Sequence, residues 1–308
     1  MITFGEMPGE NSRRCNVGIV KNGYQRVRIF VHIVMKDRVK KLNYELHNGT
    51  VYHGDILEEL SNIPDNSIDL VVTSPPYNVG IDYGDEVDDK KSWIDYWEWM
   101  EEIIENLWYK LKVGGRICWN VQINVRRKEE TRVNLMQRFK NIFDKWYVDM
   151  GDIIWWEGTL TKRTAFGSWM SASSPYIQMP AECVLVYAKE STKKEPRGKS
   201  DITKDEFMNW VTGMWTFTNN TVGVEHPAPF PPELPKRCIK MFSYVGDTVL
   251  DPFAGGGTTL MMADNLKRKY IGIEINKDYV DWTVKRMTGI NYLVDGFELP
   301  KEGLDDIW

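Results

Sequence analysis

Two short segments of the sequence combine residue types that could do chemistry. The first, Ser74-Pro75-Pro76-Tyr77, follows the apolar run at 68–72, and we call it the Pro-Pro turn. Because proline fixes φ and has no N–H group, the Ser74 and Pro75 carbonyls and the Ser74 hydroxyl are left to accept hydrogen bonds. A planar amine held there could also stack on the Tyr77 ring. The turn therefore predicts a pocket for an amino group, and a core tyrosine beside an ordinary turn is the alternative.

The second segment contains three consecutive glycines, Gly255-Gly256-Gly257, between an apolar run and a predicted helix; we call residues 252–257 the glycine loop. Glycines allow a ligand to approach the backbone, and the start of the helix offers free N–H groups and a positive dipole end. Glu274 ends the next apolar run, where an acidic side chain can accept both hydroxyls of a ribose. A nucleotide-like or carboxylate-bearing ligand is predicted, with a flexible hairpin and a solvated glutamate as alternatives. Neither a Walker motif nor a clean GxGxxG is present, which disfavours ATP and NAD.

The elements that must position these segments alternate between strand and helix. Short apolar runs predict strands, and apolar residues at helical spacing predict helices. The predicted strands are 27–35, 50–53, 68–73, 116–121, 152–156, 183–188, 248–253 and 269–275, and the predicted helices are 56–63, 92–111, 134–146, 232–243, 259–266 and 278–287. This alternation predicts an α/β fold with a mainly parallel sheet, which binds ligands beyond the carboxyl ends of its strands.

Composition is that of a globular protein. The chain has 308 residues, 42% of them hydrophobic and 27% charged, which excludes wholesale disorder. No apolar run reaches the roughly 18 residues of a membrane helix and the start lacks a secretory pattern, so a cytoplasmic protein without membrane contact is expected. The four cysteines form no CxxC pair and have no histidine nearby, so we expect reduced core residues and no metal site; they are Cys15, Cys118, Cys183 and Cys238.

Charge is unevenly distributed. The net charge of -5 argues mildly against a nucleic-acid partner, yet residues 1–41 carry nine Lys/Arg against three Asp/Glu. A basic cluster is more typical of a solvated face than of a phosphate track, although an enzyme acting on DNA needs only local positive strips. Residues 157–182 and 190–225, rich in Thr, Ser, Gly, Pro and Lys, interrupt the alternation. We expect neither to form a buried layer, and both are candidate substrate-reading segments.

Taken together, these motifs resemble a known enzyme family. TSPPYN, the upstream HGD and the downstream HPAPFPPELPKRCIKMFSYVGDTVLDPFAGGGTTL and YIGIEIN resemble the S-adenosylmethionine-dependent DNA amino-methyltransferases over about residues 48–288. The catalytic loop precedes the cofactor loop, as in the circularly permuted beta class. The resemblance implies a Rossmann-like fold with a mainly parallel seven-stranded sheet flanked by helices. It also implies a catalytic domain at 46–308 with target-recognition and active-site loops inserted at 157–225, after a basic extension at 1–45.

The resemblance also implies roles for individual residues. The target amine would meet Ser74, Pro75, Pro76 and Tyr77. S-adenosylmethionine would meet Asp55 at its adenine amine and Glu274 at its ribose; the other expected cofactor contacts are Asp251, Phe253, Gly255, Gly257, Thr258, His226 and Phe230. A helix-entry turn is the alternative for His226. Contacts to double-stranded DNA are expected from Lys162, Arg163, Trp169 and Arg197, although Trp169 could equally be a core residue.

The implied reaction is direct methyl transfer to an exocyclic base amine. Methylation at carbon 5 would instead need an attacking cysteine, typically one that follows a proline, and no cysteine in this chain does. A serine before Pro-Pro favours N4 of cytosine, and N6 of adenine is the alternative. Methylation of RNA or of a protein amide, and a non-catalytic DNA-binding modification partner, are the rival interpretations. A cognate restriction endonuclease and a homodimer are partners that the resemblance leaves open.

Overall fold

The structure is a computed structural model that describes residues 4–5, 12–22, 25–36, 39–81, 89–127, 132–156, 167–175, 181–218 and 230–288. The strands are β1 (Phe4–Gly5), β2 (Ser12–Asn22), β3 (Gln25–Lys36), β4 (Val39–Glu45), β5 (Gly49–His53), β6 (Ile68–Thr73), β7 (Leu111–Gln122), β8 (Asn124–Val125), β9 (Val133–Asn134), β10 (Val148–Trp156), β11 (Ala181–Ala188), β12 (Met214–Thr216), β13 (Thr248–Asp251) and β14 (Lys269–Glu274). The helices are α1 (Ile56–Leu60), α2 (Trp93–Lys110), α3 (Leu135–Phe143), α4 (Lys204–Trp210), α5 (Glu233–Phe242), α6 (Thr258–Asn265) and α7 (Lys277–Thr288).

The described strands form one large sheet in the order β1-β2-β3-β4-β5-β14-β13-β6-β7-β11-β10-β12, and β8 pairs with β9 separately. From β5 to β7 all neighbours are parallel, and β11 runs antiparallel to both β7 and β10. These seven strands from β5 to β10 confirm the predicted mainly parallel, Rossmann-like arrangement. The sheet extends beyond the prediction at both edges, because β4 continues it antiparallel to β5 and β12 pairs with β10.

Both faces of the sheet are covered by helices. Strand β6 is buried along its whole length, as expected for a central parallel strand. Successive side chains point to opposite faces, so Val71 joins a core with α1, α2 and α3, whereas Leu70 and Val72 join a core with α5, α6 and α7. The two faces thereby fix where the carboxyl ends of the strands lie.

Helix α2 is the longest described helix and packs beside the Pro-Pro turn. The Ser92 side chain caps its start by accepting from the Asp95 N–H group, as the sequence predicts. Tyr96, Met100 and other residues three or four positions apart are fully buried. The Tyr96 hydroxyl donates to the Pro76 carbonyl at 2.8 Å, so the helix positions the turn.

Three element bounds and one loop prediction differ from expectation. Helix α3 ends at Phe143 rather than 146, and β7 and β10 begin four or more residues earlier than predicted. The expectation that 190–225 forms no buried layer was wrong, because Trp210 of α4 and Trp215 of β12 are buried in the core below α5. Cys118, Cys183 and Cys238 are buried without a disulfide, as predicted. Within the described ranges, no helix is long and apolar enough to cross a membrane.

Candidate active site

The Pro-Pro turn and the glycine loop leave the sheet side by side. Strands β6 and β13 are parallel neighbours, with Leu70 opposite Val249 and Val71 opposite Leu250. Their carboxyl ends therefore meet at one edge of the sheet. There the Thr73 hydroxyl donates to Asp251 Oδ1 at 2.6 Å. The prediction that the two distant segments open on the same side of the molecule is confirmed.

Asp251 is a buried link between these loops. Its Oδ1 atom also accepts from the Phe253 N–H group at 3.1 Å, and the residue is only 1% exposed. Burial raises the pKa of Asp251 to about 6, against the opposing effect of its hydrogen bonds. The expected direct contact of Asp251 with the cofactor is corrected accordingly: the carboxyl group holds the two loops together from inside the protein.

The glycine loop has the backbone that only glycine adopts readily. Gly255 and Gly257 have φ angles of +48° and +74°. A Cβ atom on Gly257 would lie 2.5 Å from Thr283 Cγ2, so the helix behind the loop leaves no room for a side chain. The Thr283 hydroxyl donates to the Gly255 carbonyl at 3.0 Å. Sequence and packing therefore agree that the loop presents bare backbone at the sheet edge.

Glu274 lies beside the loop at the end of β14. Its Oε2 atom accepts from the Gly255 N–H group and its Oε1 atom from the Asn276 N–H group, both at 2.8 Å. A carboxylate can accept about four hydrogen bonds, so capacity remains for the two hydroxyls of a ribose. Burial raises the pKa of Glu274 to about 7. The structure thus places the expected ribose acceptor at the glycine loop.

Asp55 lies next to Glu274 on the neighbouring strand. Gly54, which follows β5, donates its N–H group to the Glu274 carbonyl at 3.0 Å. Asp55 caps α1, and its Oδ1 atom accepts from the Leu57 N–H group at 2.9 Å. This arrangement brings a second carboxylate to the same edge, where it fits an amino group of a nucleobase.

The remaining expected cofactor residues divide between the two faces of the sheet. Phe253 packs edge to face against Trp99 and Trp119, with ring centroids 5.9 and 6.1 Å apart. Thr258 is buried as the first residue of α6. Phe230 is half-buried against the opposite core, so its contact with a ligand stays a prediction. His226 lies outside the described residues.

The Pro-Pro turn presents acceptors as predicted. The Ser74 hydroxyl lies 2.8 Å from the Tyr77 hydroxyl, and Tyr77 is almost fully buried. Whereas Tyr96 occupies the Pro76 carbonyl, no described residue donates to the Pro75 carbonyl. Ser74 and Pro75 can therefore receive the two hydrogens of an amine.

The chain that follows the turn is held by a residue that sequence reasoning missed. The buried carboxylate of Asp89 accepts from four consecutive backbone N–H groups, those of Asn78, Val79, Gly80 and Ile81, at 2.8–3.1 Å. Asn78 itself has a φ of +58°. Arg127 donates to the Asn78 carbonyl at 2.6 Å and lies 4.5 Å from the Trp93 ring centroid. No spacing pattern in the sequence indicates that Asp89 folds back onto the turn.

The predicted DNA-binding segment at 157–180 begins and ends at the same edge of the sheet. Trp156 and Ala181 are paired at the ends of β10 and β11, and Glu182 is opposite Gln122 at the carboxyl end of β7. Trp169 is 73% exposed, which argues against the alternative core role. Lys162 and Arg163 lie outside the described residues.

Arg197 lies at the opposite edge of the sheet. Lys194, three residues earlier, binds Asp69 at 2.9 Å near the amino end of β6. Gly198 packs against Tyr244, shortly before β13 begins. Because the Pro-Pro turn is at the carboxyl ends of these strands, Arg197 is not brought to the site. The predicted recognition range of 157–225 is divided accordingly, since β11, α4 and β12 within it belong to the sheet and its core.

Residues 68–285 match the family model of N6/N4 methyltransferases that is described as DNA methylase. The type II methyltransferase M.MjaVI of Methanocaldococcus jannaschii is 39% identical over 183 residues, 59% of this chain and 92% of that protein. The type II methyltransferase M.BglII of Bacillus subtilis is 31% identical over 286 residues, 86% of this chain and 78% of that protein.

A solved structure shows the same likeness. The DNA modification methylase TTHA0409 of Thermus thermophilus, in its complex with S-adenosyl-L-methionine, superposes with a TM-score of 0.62 at 27% identity. The match covers 80% of this chain and 95% of that chain.

Proposed function

The chain belongs to the DNA methylase family of N6/N4 amino-methyltransferases, and on that premise we propose that it methylates the exocyclic N4 amine of cytosine in duplex DNA. The family acts on DNA with S-adenosylmethionine as cofactor. The observation that carries the proposal is the Thr73–Asp251 hydrogen bond, which joins the acceptor-bearing Pro-Pro turn to the glycine loop at one sheet edge. A methyl donor and an amine held by these two loops would be adjacent.

The residues at this edge fit S-adenosylmethionine. Glu274 has spare acceptor capacity for the ribose hydroxyls, Asp55 offers a carboxylate to the adenine amine, and Gly255 exposes backbone beside them. When bound, the cofactor supplies a methyl group on a positively charged sulfur. The role of each protein residue is to bind and orient the cofactor.

The Pro-Pro turn would activate the amine by orienting it. An exocyclic amine is a poor nucleophile because its lone pair is delocalised into the base ring. Acceptors at Ser74 and Pro75 hold the two amine hydrogens and favour a more tetrahedral nitrogen, so that the lone pair points towards the methyl group. Orientation and electrostatics then account for the rate of an in-line displacement, and no covalent enzyme intermediate is required.

The affinity for S-adenosylmethionine is expected to fall about tenfold between pH 8 and pH 6. The pKa of Glu274 is raised to about 7 by burial, and the ribose hydroxyls donate to the ionised carboxylate, so binding below pH 7 must first remove a proton. Isothermal titration calorimetry across this range measures the change. The Glu274→Gln variant should bind weakly at every pH, and a wild-type affinity that does not change with pH would contradict the assignment.

DNA would approach through the segment at 157–180. A base amine in a duplex is inaccessible, so the target nucleotide must be flipped out at a cost of a few kcal/mol. Trp169 is exposed on this segment, where it could stack on a base or fill the vacated space. We assign Lys162 and Arg163 to phosphate contacts and leave Arg197 out. Because M.MjaVI and M.BglII are named type II methyltransferases, we extend the proposal to a cognate restriction endonuclease. The homodimer and the division at residue 45 stay predictions.

The methylated base decides between cytosine and adenine. Ser74 before Pro-Pro favours cytosine N4, and the family includes enzymes for both amines. Duplex DNA should be methylated by the wild-type protein with S-adenosylmethionine, digested to nucleosides and analysed by mass spectrometry, with DNA treated without cofactor as the control. N4-methylcytosine is the expected product. N6-methyladenine instead would contradict the base assignment while leaving the reaction class intact.

A further inference from the structure

A polar cluster lies directly behind the Pro-Pro turn. Glu182 of β11 and Asn120 of β7 lie on paired strands, and both reach the Tyr77 hydroxyl. Glu182 Oε2 is 3.3 Å from that hydroxyl, Asn120 Nδ2 is 3.4 Å away and the Asn120 carbonyl is 3.5 Å away. Asn120 Nδ2 also donates to Glu182 Oε2. Neither residue belongs to the motif that marks the turn.

The Tyr77 hydroxyl has one hydrogen to donate, and its neighbours determine where that hydrogen points. An ionised carboxylate and a carbonyl can only accept, whereas the Ser74 hydroxyl can donate or accept. A hydrogen bond to a charged acceptor is stronger than one to a neutral acceptor. The Tyr77 hydrogen is therefore directed to Glu182, and Ser74, at 2.8 Å, donates to the Tyr77 oxygen.

This direction matters because it decides what Ser74 shows to a substrate. A Ser74 hydroxyl that donates to Tyr77 presents its lone pairs to an incoming amine, whose hydrogens need acceptors. If the chain of hydrogen bonds ran the other way, the Ser74 hydrogen would be free to point at the amine and repel its N–H groups.

We propose that Glu182 is a positioning residue that sets the direction of the Glu182–Tyr77–Ser74 hydrogen-bond chain and thereby keeps Ser74 an acceptor for the target amine. The inference rests on the proposed function and names a residue that acts through Tyr77. It predicts that Glu182 affects turnover only while the Tyr77 hydroxyl is present.

A matched contact elsewhere on β11 provides the control. Tyr187 donates to Asp144 Oδ1 at 3.0 Å, which is also a tyrosine–carboxylate hydrogen bond, and neither residue touches the Pro-Pro turn. The Asp144→Asn variant weakens a comparable bond on the same strand. It should leave both turnover and cofactor affinity at the wild-type level.

The test is a double-mutant cycle of Glu182→Leu and Tyr77→Phe, with the turnover number kcat measured on duplex DNA. We expect Glu182→Leu to lower kcat about tenfold with an unchanged KM for S-adenosylmethionine. In the Tyr77→Phe background, the same substitution should change kcat by less than about twofold, because the chain is already broken. Thermal unfolding and cofactor binding verify that each variant is folded.

A loss of equal size in both backgrounds would overturn the inference, because it would assign Glu182 a structural role independent of Tyr77; an unchanged kcat in Glu182→Leu would do the same. If Glu182→Leu does not fold, the same cycle with Glu182→Gln carries the test, with a smaller loss expected in the wild-type background only. A wild-type protein that methylates no base amine would instead contradict the proposed function itself.

Discussion

Ser74→Ala is expected to lower kcat for methyl transfer to DNA by about 10² to 10³-fold while leaving the affinity for S-adenosylmethionine within about twofold of wild type. The Ser74 hydroxyl is bonded to Tyr77 at 2.8 Å and lies on the Pro-Pro turn, whereas the cofactor residues lie on the glycine loop and β14. Removing it deletes one of two acceptors for the amine and no cofactor contact. Transfer of a labelled methyl group gives kcat, and calorimetry gives the cofactor affinity.

A serine at the other end of β6 provides the control for this substitution. Ser67 precedes the strand, and its hydroxyl donates only locally, to the Pro64 carbonyl at 2.6 Å. Ser67→Ala should therefore retain wild-type turnover. A Ser74→Ala variant that is equally active would show that the amine is not held at the Pro-Pro turn.

Gly255→Val is expected to weaken S-adenosylmethionine binding more than about 100-fold, because a β-branched residue is strongly disfavoured at positive φ. Gly255 has a φ of +48°, donates to Glu274 and accepts from Thr283, so a shift of its backbone moves the ribose acceptor as well. The added side chain would also occupy space that the cofactor needs beside the loop. Calorimetric titration with S-adenosylmethionine measures the loss.

Backbone strain alone must be separated from this effect. Gly246 has a φ of +88°, and a Cβ atom there would meet nothing within 4 Å, at the amino end of β13. Gly246→Val should lower the melting temperature without changing cofactor affinity. Normal affinity in a folded Gly255→Val protein would mean that the cofactor binds elsewhere.

The sequence predicts the sheet edge well because its signals there are local. An apolar run that ends in Pro-Pro, and another that ends in three glycines, each define a strand and the loop that follows it. The parallel pairing of β6 and β13 then follows from the alternation of strands and helices, and it brings Ser74 and Gly255 to one edge. Glu274 is found in the same way, as the acidic end of the next strand.

The residues that sequence reasoning missed depend on long-range pairing. Glu182 reaches Tyr77 only because β11 pairs antiparallel with β7 in one particular register. Asp89 reaches the Pro-Pro turn by folding back over residues whose spacing carries no periodic signal. Asp251 was assigned to the cofactor because it adjoins the glycine loop, but its burial makes it a link to Thr73 instead. Nothing in local composition separates Arg197 from basic residues nearer the site.

The most direct test is a crystal structure of the protein with S-adenosylmethionine bound, in which the distance from the transferable methyl carbon to Ser74 Oγ is measured. An amine must fit between them, with a hydrogen bond of about 3 Å on one side and a near-attack contact of about 3–3.5 Å on the other, so we predict a distance of roughly 6 Å or less. A cofactor whose methyl group opened at the amino ends of β6 and β13, near Asp69, would contradict the shared site.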